Sequence, residues 1–105
     1  MSVIKGIFST RAITIDGTPL LPGRSQKIIN HSPDGFNWSY GGSGPAQLAL
    51  ALLLEFTNEI FAQLHYQSFK WSVIAILPPA DFELAVSDVM AWVEHHGYKG
   101  CSDER

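Results

Sequence analysis

Tyr40-Gly41-Gly42-Ser43-Gly44-Pro45 runs directly into Ala46–Phe56, a stretch that is nearly all Ala, Leu and Phe, broken only by Gln47 and Glu55. Three glycines and a proline in six residues mark a sharp reversal, and proline is tolerated only where its missing N–H has no helical partner to lose. A helix follows, expected over 45–57, with Ser43 or Gly44 as its N-cap. A helix that is apolar almost all round has no face to give to water, so it must be the centre of the fold. With 105 residues there is material for one core and one domain, placed at 1–97.

What surrounds the helix is read from period and turn chemistry. Val3, Ile4, Ile7 and Phe8 suit one strand and Ala12-Ile13-Thr14-Ile15 a second. Asp16-Gly17 is a strong hairpin signal, because a type I′ turn needs positive φ. The return through Thr18-Pro19-Leu20-Leu21 is short and lies at an edge, since Pro19 has no N–H to donate. Residues 24–35 read as a loop or irregular strand closed by His31-Ser32-Pro33-Asp34-Gly35. Phe36, Trp38 and Tyr40 alternate with Asn37 and Ser39, which predicts a half-buried strand over 36–40.

Asn58 before Glu59 opens a second helix. Ile60, Phe61, Leu64, Ser68, Phe69, Val73 and Ile76 hold helical spacing as far as Pro78-Pro79, giving a helix over 58–77. Phe69, Trp71, Val73, Ala75 and Leu77 also alternate, so a strand over 69–77 is the rival; the longer run of three- and four-residue spacing favours helix. A short strand at 82–84 and a last helix at 87–96 complete the set, with Ser87 as cap, Val86 and Met90 as a staple, and Gly97 as the stop. Residues 98–105 are polar and read as a flexible tail. The fold class is α+β, a small antiparallel sheet packed on a central helix.

Charge and cysteine content narrow the function classes. The formal net charge is −3, yet residues 1–30 carry Lys5, Arg11, Arg24 and Lys27 against Asp16 alone. Neither half has the Lys/Arg density of a nucleic-acid-binding surface. The carboxylates of Glu55, Glu59, Asp81, Glu83, Asp88 and Glu94 are scattered, as solvated groups are. One cysteine, Cys101, excludes an internal disulfide and a thiolate zinc site, which suits a reducing cytoplasm. Met1-Ser2-Val3 leads into strand-like sequence without a basic region and apolar stretch, so no signal peptide is expected. The longest apolar run, Leu48–Leu54, is far short of the ~20 residues of a membrane span.

Gly35-Phe36-Asn37-Trp38-Ser39-Tyr40-Gly41-Gly42-Ser43-Gly44-Pro45-Ala46-Gln47-Leu48-Ala49-Leu50-Ala51-Leu52-Leu53 resembles the signature of a family of small domains of unknown function from bacteria, archaea, phages and plasmids. Ile13–Leu20, His31–Gly35, Phe69-Lys70, Val73–Ala75, Leu77-Pro78 and Phe82–Leu84 agree with its other segments. The pattern has Gly before the Tyr where this chain has Ser39. The resemblance implies an α+β domain in a mobile-element setting and brings no activity, substrate or catalytic residue.

Candidate sites come from the residues alone. Backbone N–H groups of Gly42, Ser43, Gly44 and Gln47 at a helix N-terminus, with Arg11, Arg24 and Lys27 as charge partners, are the pattern of an anion or nucleotide cradle. Against this, no Lys follows the turn, so it is not a P-loop, and the glycines are equally explained by close packing. Ser43 sits between glycines, but Pro45 stands where a nucleophile elbow needs its last Gly. His95 and His96 are adjacent and point about 100° apart on a helix, and no H-E-x-x-H spacing exists, so neither metal nor cofactor is expected. Charged residues are only 16% of the chain and aromatics are plentiful. Trp38, Tyr40, Trp71 and Trp92 are therefore the candidates for a protein partner or a homo-oligomer interface. The leading expectation is a non-enzymatic, cytoplasmic binding protein of a phage or mobile element that occupies a partner, such as a CRISPR effector of a host defence system. The alternative is a binder that sequesters a nucleotide or other phosphate-bearing signal at the Gly-rich turn; a housekeeping domain is the third reading.

Overall fold

A computed structural model describes residues 2–98 of the chain. Four antiparallel strands form one sheet in the order β3-β2-β1-β4, where β1 is Val3–Ile7, β2 Ala12–Ile15, β3 Thr18–Leu20 and β4 Phe82–Ala85. The helices are α1 (Gly23–Ile28), α2 (Ser43–Phe56), α3 (Glu59–Phe69) and α4 (Val86–His95), and a π-helical turn at Lys70–Ile74 continues α3. The α+β class, the short edge strand β3 and the strand near 82–84 stand as the sequence indicates.

Alternation of side chains sets the sheet's two faces. Ile4 pairs with Ile15 and Leu84, and Gly6 with Ile13 and Phe82, so these residues share the inner face, while Lys5 and Glu83 point outward. Gly6 is small for a reason. A Cβ there would lie 2.2 Å from the ring of Phe82, which crosses β1 at this point and stacks edge-on against Trp38. Asp16 (φ 52°) and Gly17 (φ 83°) make the tight β2–β3 reversal. The Asp16 carboxylate accepts the Val3 N–H at 2.8 Å, and this hydrogen bond holds its pKa below the usual carboxylate value.

Inside, α2 behaves as its composition dictates: every residue from Gly44 to Leu54 is buried. Asn58 caps α3, its Oδ1 accepting the Phe61 N–H at 2.9 Å. Gly97 (φ 99°) ends α4 in a Schellman motif, with Gly97 N–H donating to Glu94 and Tyr98 N–H to Val93. Tyr98 then packs edge-on against Phe61, so it belongs to the fold rather than to the tail; residues 99–105 lie outside the described residues. α4 begins one residue before its expected cap. Ala85 holds that position without a side-chain bond, and Val86 is already helical, so neither the Ser87 cap nor the Val86–Met90 staple forms.

Two segments fold otherwise than expected. Residues 24–35 contain α1, where a loop or irregular strand is expected, because Pro22-Gly23 starts the helix instead of ending the strand before it. Residues 36–40 form no strand. Phe36 and Trp38 are buried and Tyr40 is exposed, as period two predicts, but Gly35 (φ 105°) and Ser39 (φ 78°) bend the chain on either side. The backbone bonds go elsewhere: Asn37 Oδ1 accepts the Trp38 N–H, and the Ile74 carbonyl accepts the Ser39 N–H.

Ser39 occupies the left-handed region at the position where the resembled signature has Gly. A side chain there costs about 1–2 kcal/mol, of which a glycine's extra unfolded-state freedom returns roughly half. Ser39→Gly is therefore expected to raise stability by about 0.5–1 kcal/mol in urea denaturation.

Candidate functional site

None of Gly41, Gly42 and Gly44 has a positive φ. They are glycines because side chains lie on top of them. A Cβ at Gly41 would sit 2.1 Å from the Trp71 ring, one at Gly42 2.3 Å from the Tyr40 ring, and one at Gly44 2.6 Å from Asn37 Cβ. Gly42 takes the N-cap position, in place of the expected Ser43 or Gly44, and makes no side-chain bond. Pro45 is the third helical residue, where the N–H it lacks would have had no intrahelical acceptor. The turn is thus an architectural crossing point, with Trp71 and Tyr40 folded over its outside.

The expected anion cradle is only partly assembled. Gln47 is fully buried and its amide is completely engaged. Its Oε1 accepts from the N–H groups of His31 (2.7 Å) and Ser32 (3.0 Å), and its Nε2 donates to Ser25 Oγ (2.9 Å) and the Ile29 carbonyl (3.1 Å). It is the bracket that ties α1 and the following loop to α2, with nothing left for a ligand. Arg24 lines a groove with Leu20, Leu54 and Glu55, beside the far end of α2 from the glycines. Lys27 is exposed on the last turn of α1, away from the cleft at the turn. Arg11 alone among the three cations joins Ser43 and Gly44. They line a cleft of about 380 Å³ together with Asp34, Asn37 and Tyr40. Its guanidinium is already occupied on one side, Nε donating to Asn37 Oδ1 at 2.9 Å with the Phe8 ring 3.8 Å away.

The aromatic candidates separate in the same way. Trp38 is 1% exposed, hydrogen-bonded from Nε1 to the Ala80 carbonyl, and edge-on to Phe8 and Phe82. It is core, and its assignment to an interface is corrected. Trp92 is half-buried between Phe69 and a stacked His96. Tyr40 and Trp71 remain at the surface.

Residues 5–95 match the model of a family of unknown function, DUF6166. The chain belongs to this family. No curated protein and no solved structure matches it at a significant level.

In this DUF6166 domain the surface that stands out is the outer face of α3. Helix is the correct reading of 58–77 in preference to strand, but the α-helix ends at Phe69, the π-helical turn ends at Ile74, and the apolar residues run along two faces. Phe61, Phe69 and Ile74 are buried, whereas Ile60 (75% exposed), Leu64 (73%) and Trp71 (61%) face outward with Gln63, Gln67 and Ser68. Ile60 and Leu64 share a helical spacing with buried neighbours, and only the packing reveals that a second apolar stripe is left over. From Ile60 to Ala80 the one Lys, Arg, Asp or Glu is Lys70, itself buried. Lys70 Nζ donates to the Gly41 carbonyl at 3.3 Å and sits 4.4 Å from the centre of the Trp71 ring. The π-helical turn that begins at Lys70, closed by the Ala75 N–H to Lys70 carbonyl bond, sets this arrangement. Trp71 is therefore exposed and also held, by a cation beneath its ring and a glycine against its edge. Among the described residues no helix is long and apolar enough to cross a membrane.

Proposed function

We propose that this protein is a non-enzymatic binding protein that works by occupying a protein partner in the cytoplasm, through the α3 face of Ile60, Leu64 and Trp71 with Tyr40 beside it. The observation that carries the reading is Trp71, a large aromatic left 61% exposed and fixed by Lys70 and Gly41. An anchor fixed before binding loses little rotamer freedom on contact, and tryptophan is among the residues that dominate interface energetics. The Gly-rich turn, with the most chemistry on offer, is covered by the protein's own side chains, and its glutamine is engaged internally. The mobile-element setting implied by the resemblance makes components of host defence, CRISPR effectors among them, the first partners to screen.

The experiment is binding of immobilised protein to a panel of purified defence components, measured for the wild type and for Trp71→Ala. A partner held by the wild type and weakened at least tenfold by Trp71→Ala is the expected result. Equal binding by both, or none across the panel, would overturn the reading.

A further inference from the structure

Ile60, Leu64, Gln67 and Trp71 follow one another at intervals of four, three and four residues, the spacing of a coiled-coil seam, and all four are exposed. Tyr40 lies near the end of this stripe, its ring over Gly42 where that of Trp71 is over Gly41, and it also lines the cleft with Arg11 and Asp34. Judged by their fractional exposures, Ile60, Leu64, Trp71 and Tyr40 present roughly 600 Å² of surface, against ~800 Å² per partner in an interface of standard size. Gln63 and Ser68 flank the stripe with neutral polar groups.

The charge pattern selects the occupant. Between Ile60 and Trp71 a different protein recognised by charge finds nothing to pair with, because the one charged side chain there, Lys70, already donates to Gly41 and lies under Trp71. A second copy of this chain carries the same net charge of −3, yet along Ile60–Trp71 it meets no carboxylate. The orientation follows too. In a parallel pair Glu59, at the start of α3, would face its own counterpart. An antiparallel pair separates the two carboxylates and opposes the helix dipoles.

Resting on the reading of this face as the protein-binding surface, we propose that in the free protein it is covered by a second copy of the chain. α3 packs antiparallel on α3 about a two-fold axis, with Ile60 of one copy against Trp71 of the other and Leu64 against Gln67. The contact is self-complementary and closed, so assembly stops at the dimer. A different protein reaching this face must displace the second copy, and its apparent affinity falls as the concentration of this chain rises.

Sedimentation equilibrium of the full chain tests the assembly with no partner present. The wild type is expected to be dimeric at micromolar concentration. Leu64→Glu, at an exposed position, is expected to keep the circular dichroism spectrum and melting temperature while weakening the dimer about a hundredfold. Adding Gln67→Lys to Leu64→Glu places opposite charges across the antiparallel seam twice and is expected to restore much of the dimer. A monomeric wild type overturns the proposal, whether the stripe is then left to another protein or to residues 99–105. So does a Leu64→Glu variant as dimeric as the wild type, and so does a double variant no tighter than the single one. A monomer would leave the partner reading standing, and an empty partner screen would leave the dimer standing, so the two failures are distinguishable.

Discussion

Gln47→Leu should lower the unfolding free energy by about 3–5 kcal/mol, against a total of roughly 5–15 kcal/mol for a domain of this size. Leucine matches the volume and suits the apolar surroundings, so the loss isolates the amide. Four groups lose a bond at once: the N–H groups of His31 and Ser32, the Ile29 carbonyl, and Ser25 Oγ, which keeps only the bond it donates to the Pro22 carbonyl. Ser25 is 1% exposed, so water cannot readily replace the missing donor. The measurement is guanidinium denaturation, with hydrogen exchange of α1 amides as the local readout. Protection in α1 should fall furthest. A loss below about 1 kcal/mol would mean that α1 is held by its own packing and that the amide network is dispensable.

Trp38→Ala should cost about 3–5 kcal/mol, whereas Trp71→Ala should stay within roughly 0.5 kcal/mol. Trp38 fills the space between Phe8 and Phe82 and closes a hydrogen bond to Ala80, so alanine leaves both a cavity and an unpaired carbonyl. Trp71 is largely in water, and its removal frees Lys70 to be solvated where it stands. Thermal melts of the two variants read the difference directly, at about 4–8 °C per kcal/mol for a domain near this length. The opposite ordering, with Trp71→Ala the damaging change, would place the indole in the core and remove the basis for an exposed anchor.

The elements legible in the sequence are those whose cause is local. The Asp16-Gly17 reversal needs positive φ at both residues and has it, and Gly97 stops α4 for the same reason. Asn58 caps α3 because an Asn side chain reaches the third N–H on, whatever surrounds it. α2 was evident because nothing but burial accounts for such a run. The features that escaped have causes elsewhere in the chain. α1 is six residues long, too short to be stable alone, and forms because Gln47 holds Ser25 and Ile29. Residues 36–40 alternate like a strand, but Ile74 takes the Ser39 N–H and no strand lies alongside. In the π-helical turn Ile74 is buried five residues after Phe69, which neither a period of two nor one of 3.6 anticipates.

The same logic divides the candidate site. Gly41, Gly42 and Gly44 stand out in the sequence, but sequence cannot show which side chains cover them. Gln47 was noticed as a polar interruption in an apolar helix. Its engagement by four groups from residues 25–32 explains why it faces inward and not toward a ligand. Arg24 and Lys27 are close to Arg11 in charge and in sequence, yet α1 carries them away from the turn. Ile60 and Leu64 share the helical period of buried neighbours, and only the position of α3 against α2 decides which face is left to solvent.

The bracket at Gln47 also bears on the order of assembly. α1 has too few residues to nucleate by itself, and the amide that receives Ser25 and Ile29 lies 18–22 positions along the chain, on a helix that must already be in place. With a transition state built around α2, contacts of that kind are expected to form late, so Gln47→Leu should speed unfolding and leave the folding rate nearly unchanged in stopped-flow kinetics. In time as opposed to energy, α1 is the last element to arrive and the first to leave, and Gln47 is the latch on that departure.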